Sequence, residues 1–153
     1  MIDAGSRKVI ATIPVGKSPG AVGIIPDFPF SFFSSKLFID RDSRFVLLSY
    51  ITLGDGARPL HPPAEALSVQ VGSFAATIGP GSFHEGPVPG EWRFDGTIKS
   101  VPLHARILLT GTKQYLVLVE AKTALPGAGN PVKVRLTPSN NSGTAEVIAA
   151  IFK

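Results

Sequence analysis

The chain contains no cysteine. That absence excludes disulfides, thiolate zinc sites and cysteine nucleophiles, and it leaves packing as the source of stability. No stretch approaches 18 consecutive apolar residues, so no segment is read as a membrane span. The opening MIDAGSRKV has no basic start running into an apolar core, and no signal peptide is expected there. Basic residues exceed acidic ones by 15 to 11, yet from Arg41 to Arg135 they are scattered. No basic run is interleaved with aromatics, so nucleic acid is not an expected partner. Sustained helical periodicity is missing too; Pro63–Leu67 offers one turn at most.

What is present is apolar, turn-rich and β-like. With 153 residues, 44% of them hydrophobic, the chain has one domain's worth of material. A domain of this size buries roughly 68–70% of its unfolded surface. Sixteen Gly and 14 Pro fit many tight turns between short strands.

The most informative stretch runs from Leu67 to Leu109. Leu67, Val69 and Val71 share one face, and Ala76 with Ile78 continues the alternation past Gly72. Trp92, Phe94 and Ile98 recur at even spacing, as do Leu103, Ala105, Ile107 and Leu109. Period two places such side chains on one side of a pleated strand, and the turn signals at 79–81 and 87–90 punctuate them. The expectation is a central antiparallel layer. Before it, PDFPFSFF at 26–33 reads as a proline-broken linker, followed by strands near 34–40 and 44–53 around an Arg41-Asp42-Ser43 turn. Residues 54–63 form a long turn-rich connection. Afterwards come strands at 114–122, 132–137 and 144–152. The sum is an all-β fold: an antiparallel β-sandwich or open barrel of about nine strands.

Residues 2–27, IDAGSRKVIATIPVGKSPGAVGIIPD, resemble one partial blade of the YVTN-type β-propeller repeat. The shared run is Ile-Asp, Lys-Val, Ala-Thr-Ile-Pro-Val-Gly, Pro-Gly and a closing Pro-Asp. A single repeat cannot bury its own apolar face. The strands at 9–15 and 21–25 are therefore expected to dock on a sheet edge or to pair with a second copy, giving a homodimer through the N-terminal strands. This divides the chain into a residual blade segment, 1–27, and a β-module, 28–153. Within the segment, Ala11 to Ser18 comes within one residue of a phosphate-cradling loop, but Pro19-Gly20 stands where a helix should open, so it reads as a turn. Residues 45–152 resemble uncharacterised β-rich modules of large bacterial proteins, through Thr-Leu-Gly, Val-Gln-Val-Gly-Ser-Phe, Gly-Ser-Phe, Arg-Phe-Asp-Gly-Thr-Ile, Asn-Pro-Val and Ser-Gly-Thr.

Candidate chemistry is thin. The histidines His61, His84 and His104 lack metal-pair spacing. Ser82, His84 and nearby Glu85 make an acid–base–nucleophile set by composition, and Ser82 and His84 would point the same way on a strand. Asp40 and Asp42 flank a hairpin turn and Asp55 sits between glycines; oxygen-rich turns of this kind can hold Ca²⁺, although Asp is also a common turn-former. Asn130, Asn140 and Asn141 could add amide oxygens. Glu65, Glu85, Glu91 and Asp95 are the carboxylates open to glycoside chemistry. An aromatic platform for sugars could draw on Trp92, Tyr50, Tyr115, Phe74 and Phe83, but the phase of Trp92 with Phe94 favours a core role.

Two functions follow. One is a non-catalytic accessory or binding module of a bacterial extracellular-type protein, with a small molecule or carbohydrate as ligand. The other is a small Ca²⁺-dependent hydrolase of lactones or esters, acting through Ser82, His84 and His104 with metal at Asp40, Asp42 and Asp55. The lactone part is what the propeller resemblance implies, since similar propellers include lactone-hydrolysing families, with acyl-homoserine lactones as plausible substrates.

Overall fold

The computed structural model describes residues 28–125 and 129–152, together with the backbone of 2–3 and 8–9. The latter pair as β1 (Ile2–Asp3) and β2 (Lys8–Val9), antiparallel. Apart from Val9, the strands expected at 9–15 and 21–25 lie outside the described residues, as does the phosphate-loop look-alike.

Among the described residues there is no α-helix. The strands are β3 (Phe28–Ile39), β4 (Arg44–Leu53), β5 (Leu67–Val71), β6 (Phe74–Ile78), β7 (His84–Glu85), β8 (Glu91–Ile98), β9 (Val101–Gly111), β10 (Gln114–Lys122), β11 (Val132–Pro138), β12 (Asn141–Val147) and β13 (Ala150–Ile151). They form one curled sheet in the order β6-β5-β11-β12-β3-β4-β10-β9-β8-β7, with β13 added to β3. The result is an all-β open barrel.

Alternation decides which side of each strand faces in. Phe45, Leu47, Ile51 and Leu53 of β4 are buried, as are Val117 and Val119 of β10, Leu103 and Ile107 of β9, and Val69 and Val71 of β5. Each such side chain contributes about 1.5–3 kcal/mol when fully buried. Phe45 meets Phe74 across the interior at 5.3 Å between ring centroids, tying the middle of the sheet to its β6 edge. Ser49 is the polar exception on this face, and its hydroxyl is satisfied by Ser35 Oγ at 2.7 Å. A buried hydroxyl without such a partner would be costly.

The sheet turns back on itself between β12 and β3. Those strands pair in parallel only at Asn141–Phe28 and Ser142–Pro29. At the next residue, Gly143, the Phe30 and Phe33 rings occupy the space a Cβ would need. The parallel pairing ends there, and β11, β5 and β6 continue the sheet as a smaller layer that meets the larger one where Phe74 packs on Phe45. Beyond the split, β13 rejoins β3 in parallel at Phe38 and Ile39.

Several expectations are corrected. The stretch 67–109 is not one central layer: β5 and β6 lie at one end of the sheet and β7, β8 and β9 at the other. The 79–90 connection contains β7, and it is β7 that pairs with β8, so β6 comes alongside β8 without pairing with it. Residues 28–33 are strand rather than linker. Pro29 is tolerated because it sits in the first residues of β3, before the β4 ladder starts at Phe30, where no N–H is required. The last strand begins at Asn141 and breaks at Ile148–Ala149. The single helical turn is a 3₁₀ turn at Pro62–Ala64.

Candidate functional site

The residues of the expected hydrolase set are dispersed. His84 sits exposed on β7 opposite Arg93, and His104 lies two strands over on β9, opposite Asp95. With β8 between them and a two-residue offset in register, their backbones are roughly 12 Å apart. His104 Nδ1 is 2.5 Å from Asp95 Oδ1, and both side chains are more than half exposed. Ser82 precedes β7 in a turn, its N–H donating to the Gly79 carbonyl at 3.3 Å. Among the described residues nothing joins Ser82 to either histidine.

The turn aspartates are likewise apart. Asp40 Oδ1 accepts from the backbone N–H groups of Asp42 at 3.0 Å and Arg44 at 3.1 Å. That bonding caps the β3–β4 hairpin, the usual work of Asp in a turn. Asp55 follows the opposite end of β4, a ten-residue strand, and so lies about 30 Å from Asp40. Among the described residues no three His, Asp or Glu side chains gather as metal ligands.

Glu91 is the buried acid, 3% exposed beneath the 86–90 turn. Its Oε1 accepts from Arg93 Nε and Arg106 Nε, both at 2.8 Å, and Oε2 from the Val88 N–H at 3.3 Å. The Arg93 bond chiefly holds this carboxyl below the usual glutamate range; burial opposes it, and the Val88 bond and the two guanidinium charges add to it. A glycosidase acid needs the reverse, a raised value. Glu91 therefore fastens the turn to the sheet.

The aromatic side chains also turn inward. Phe74, Phe83, Tyr115 and Trp92 pack on the core, and Tyr50 alone of that group is exposed, on the outer face. They form no common platform.

A cleft of about 690 Å³ opens instead at one end of the barrel, between the 54–66 loop and the β11–β12 turn. Its size falls within the range of about 300–1,000 Å³ usual for ligand pockets. Phe28, Gly56, Arg58, Glu65, Ser139 and Asn141 are among the residues that line it. The loop wall is fixed at several points. The Leu60 N–H donates to the buried Tyr115 hydroxyl at 2.9 Å, Ser139 N–H to the Ala66 carbonyl at 2.8 Å, and Gly81 N–H to the Pro63 carbonyl at 2.8 Å. Gly54 lies so close to β3 that a Cβ would stand 2.5 Å from the Pro29 carbonyl oxygen. Only glycine fits that approach.

One of the lining residues, Asn141, is almost wholly buried, at 2% exposed; its Nδ2 donates to the Pro138 carbonyl at 3.4 Å. Its Oδ1 is itself buried and has no hydrogen-bond partner within the protein. Leaving such an acceptor unmet costs about 1–3 kcal/mol. At the rim Arg58 is exposed, while Glu65 Oε2 accepts from the His61 N–H at 2.8 Å and leaves Oε1 open.

Sequence reasoning placed Glu65 among several carboxylates and Asn141 in a turn, and did not join them to Arg58. The available signal was loop length: a connection of about 12–15 residues with little secondary structure is uncommon unless it has work to do. Comparison with protein-family models, with curated proteins and with solved structures finds no match to this chain.

Proposed function

We propose that the chain is a non-catalytic binding module, an accessory part of a bacterial extracellular-type protein, and that it holds a small polar ligand in the barrel-end cleft. One observation carries this reading: a pre-formed cleft of about 690 Å³ whose lining includes the Arg58 guanidinium and a Glu65 carboxylate with one oxygen left open. Its walls are tied to the barrel by backbone bonds, so ordering them costs little at the moment of binding. The hydrolase reading draws less support, because β8 lies between His84 and His104 and Ser82 bonds to neither.

The test is a mixed panel of sugars, amino acids, short peptides and lactones, screened by thermal shift and then by amide chemical-shift mapping. A ligand bound only by the native state adds about 2.7 kcal/mol of stability at a hundredfold excess over its dissociation constant. The expected result is a rise in Tm with shifts confined to residues 56–66 and 139–141. Turnover of a lactone that survives replacement of Arg58 and Glu65 and is lost with His84→Ala would overturn the binding reading.

A further inference from the structure

We infer that the ligand of this cleft is a neutral oligosaccharide. The inference rests on the binding-module reading and goes on to the ligand's chemistry.

Charge narrows the choice first. Arg58 and Glu65 both come from the 54–66 loop and line the same cleft, so their formal charges cancel. A polyanion would gain Arg58 and be repelled by Glu65, and a polycation the reverse. A neutral ligand able both to donate and to accept suits the pair.

Hydrogen-bonding capacity narrows it further. The open Glu65 oxygen needs a donor, while Arg58 offers only donors. Hydroxyl groups meet all of these needs, since each donates one bond and accepts up to two. An ammonium group donates only and would leave the guanidinium to a second, anionic group of the ligand. A free amino acid supplies both groups but is far too small for about 690 Å³. A chain of two or three sugar rings fills that space and lays an apolar ring face on the half-buried Phe28 side chain. With one aromatic wall, affinity is modest and specificity comes from the polar set.

The experiment is an amide chemical-shift titration of the ¹⁵N-labelled full chain. The probes are neutral cello-, malto-, xylo- and chito-oligosaccharides of two to four rings, with free amino acids and dipeptides as a second arm. At least one oligosaccharide series is expected to give saturable shifts at residues 56–66 and 139–141. Arg58→Ala and Glu65→Gln are each expected to weaken it by about tenfold or more. Both side chains sit at the cleft rim, and glutamine keeps the acceptor for His61 N–H, so both variants should hold the fold, which the same spectra check.

Binding of amino acids or dipeptides at the cleft, without any oligosaccharide, would overturn the saccharide inference and leave the binding module standing. If no probe of either arm shifted the cleft residues, both would fall. Oligosaccharide shifts centred elsewhere, or unaffected by both rim variants, would also refute the assignment.

Discussion

The barrel has two outer faces, and they differ although one period-two rule builds both. On the smaller layer, β5, β6 and β11 point Ser68, Gln70, Thr77, Arg135 and Thr137 outward, with Ser68 and Thr77 hydroxyls 2.9 Å apart. On the larger layer, β4, β9 and β10 point out Val46, Leu48, Leu108, Leu116 and Leu118, half-buried side by side, with exposed Tyr50. The acidic side chains Glu91, Asp95 and Glu120 on that larger face are each partnered: Glu91 by Arg93 and Arg106, Asp95 by a hydrogen bond with His104, Glu120 by Arg44. The smaller layer reads LSVQV and VKVRLTP, the plain alternation of a sheet with one wet side. The larger reads FVLLSYITL and YLVLV, runs that conceal which residues face in. Sequence pattern thus reports inside and outside well where the outer face is polar, and poorly where neighbouring apolar side chains shelter one another.

The sharpest way to break that comparison is along β4. Leu47 is fully buried and Leu48, its neighbour, faces out half-buried. Leu47→Ala should cost about 2–5 kcal/mol in a urea titration, the usual range for a cavity in a packed core. Leu48→Ala should cost well under half of that. Equal losses would mean that the two faces of β4 are not distinguished as described.

Next in size is the tether between barrel and cleft. Tyr115→Phe removes the acceptor for the buried Leu60 N–H, an expected loss of about 1–3 kcal/mol. The same hydroxyl gives a pH signature. Burial, first, and the nearby Glu65 charge raise its pKa above the ordinary tyrosine value, against the lowering effect of the Leu60 bond. A group whose folded pKa is raised stabilises below its unfolded value, about 10, and that contribution is lost as pH rises through the folded value. Urea midpoints of the native chain should therefore fall above about pH 10 more steeply than those of Tyr115→Phe. Parallel curves would place the hydroxyl in solvent.

How far the fold was legible follows from the same contrast. The β4 and β10 spans, the hairpin at 41–43 and the inward phase of Trp92 with Phe94 could be read directly, because local turn and strand signals coincide there. The placement of β6 and β8 at opposite ends of the sheet could not, since it depends on β5 taking β11 as its partner, a pairing between residues more than sixty positions apart. The cleft was hidden for a related reason. Arg58, Glu65 and Asn141 carry no motif spacing, and they line one cleft because the Ser139–Ala66 and Leu60–Tyr115 bonds hold a loop and a turn at the same end of the barrel.

On the larger face, Glu91 tests whether its paired charges hold structure. Its folded pKa is depressed, mainly by the Arg93 bond. The sign is therefore opposite to that of Tyr115: the stabilisation is present above the ordinary glutamate value, about 4.3, and fades as pH falls through the folded one. Glu91→Gln should flatten the decline in Tm on the acid side of that value and lower Tm at neutral pH, where two guanidinium groups lose their shared carboxylate. An unchanged acid limb would show that the clamp is absent in solution.

The smallest effect belongs to the Arg44–Glu120 pair on the same face, where the side chains remain 48% and 28% exposed. Pairs this wet contribute about 0.2–1 kcal/mol in double-mutant cycles. The cycle formed by Arg44→Ala and Glu120→Ala should return a coupling in that range, shrinking toward zero in about 1 M salt, where the screening length is about 3 Å. Ser68→Ala on the smaller layer should be neutral within about 0.5 kcal/mol and insensitive to salt. If the ionic coupling instead persisted at high salt, the pair would have to be shielded from water. The larger outer face would then be a covered surface in solution, and its apolar run would be explained by the partner that covers it.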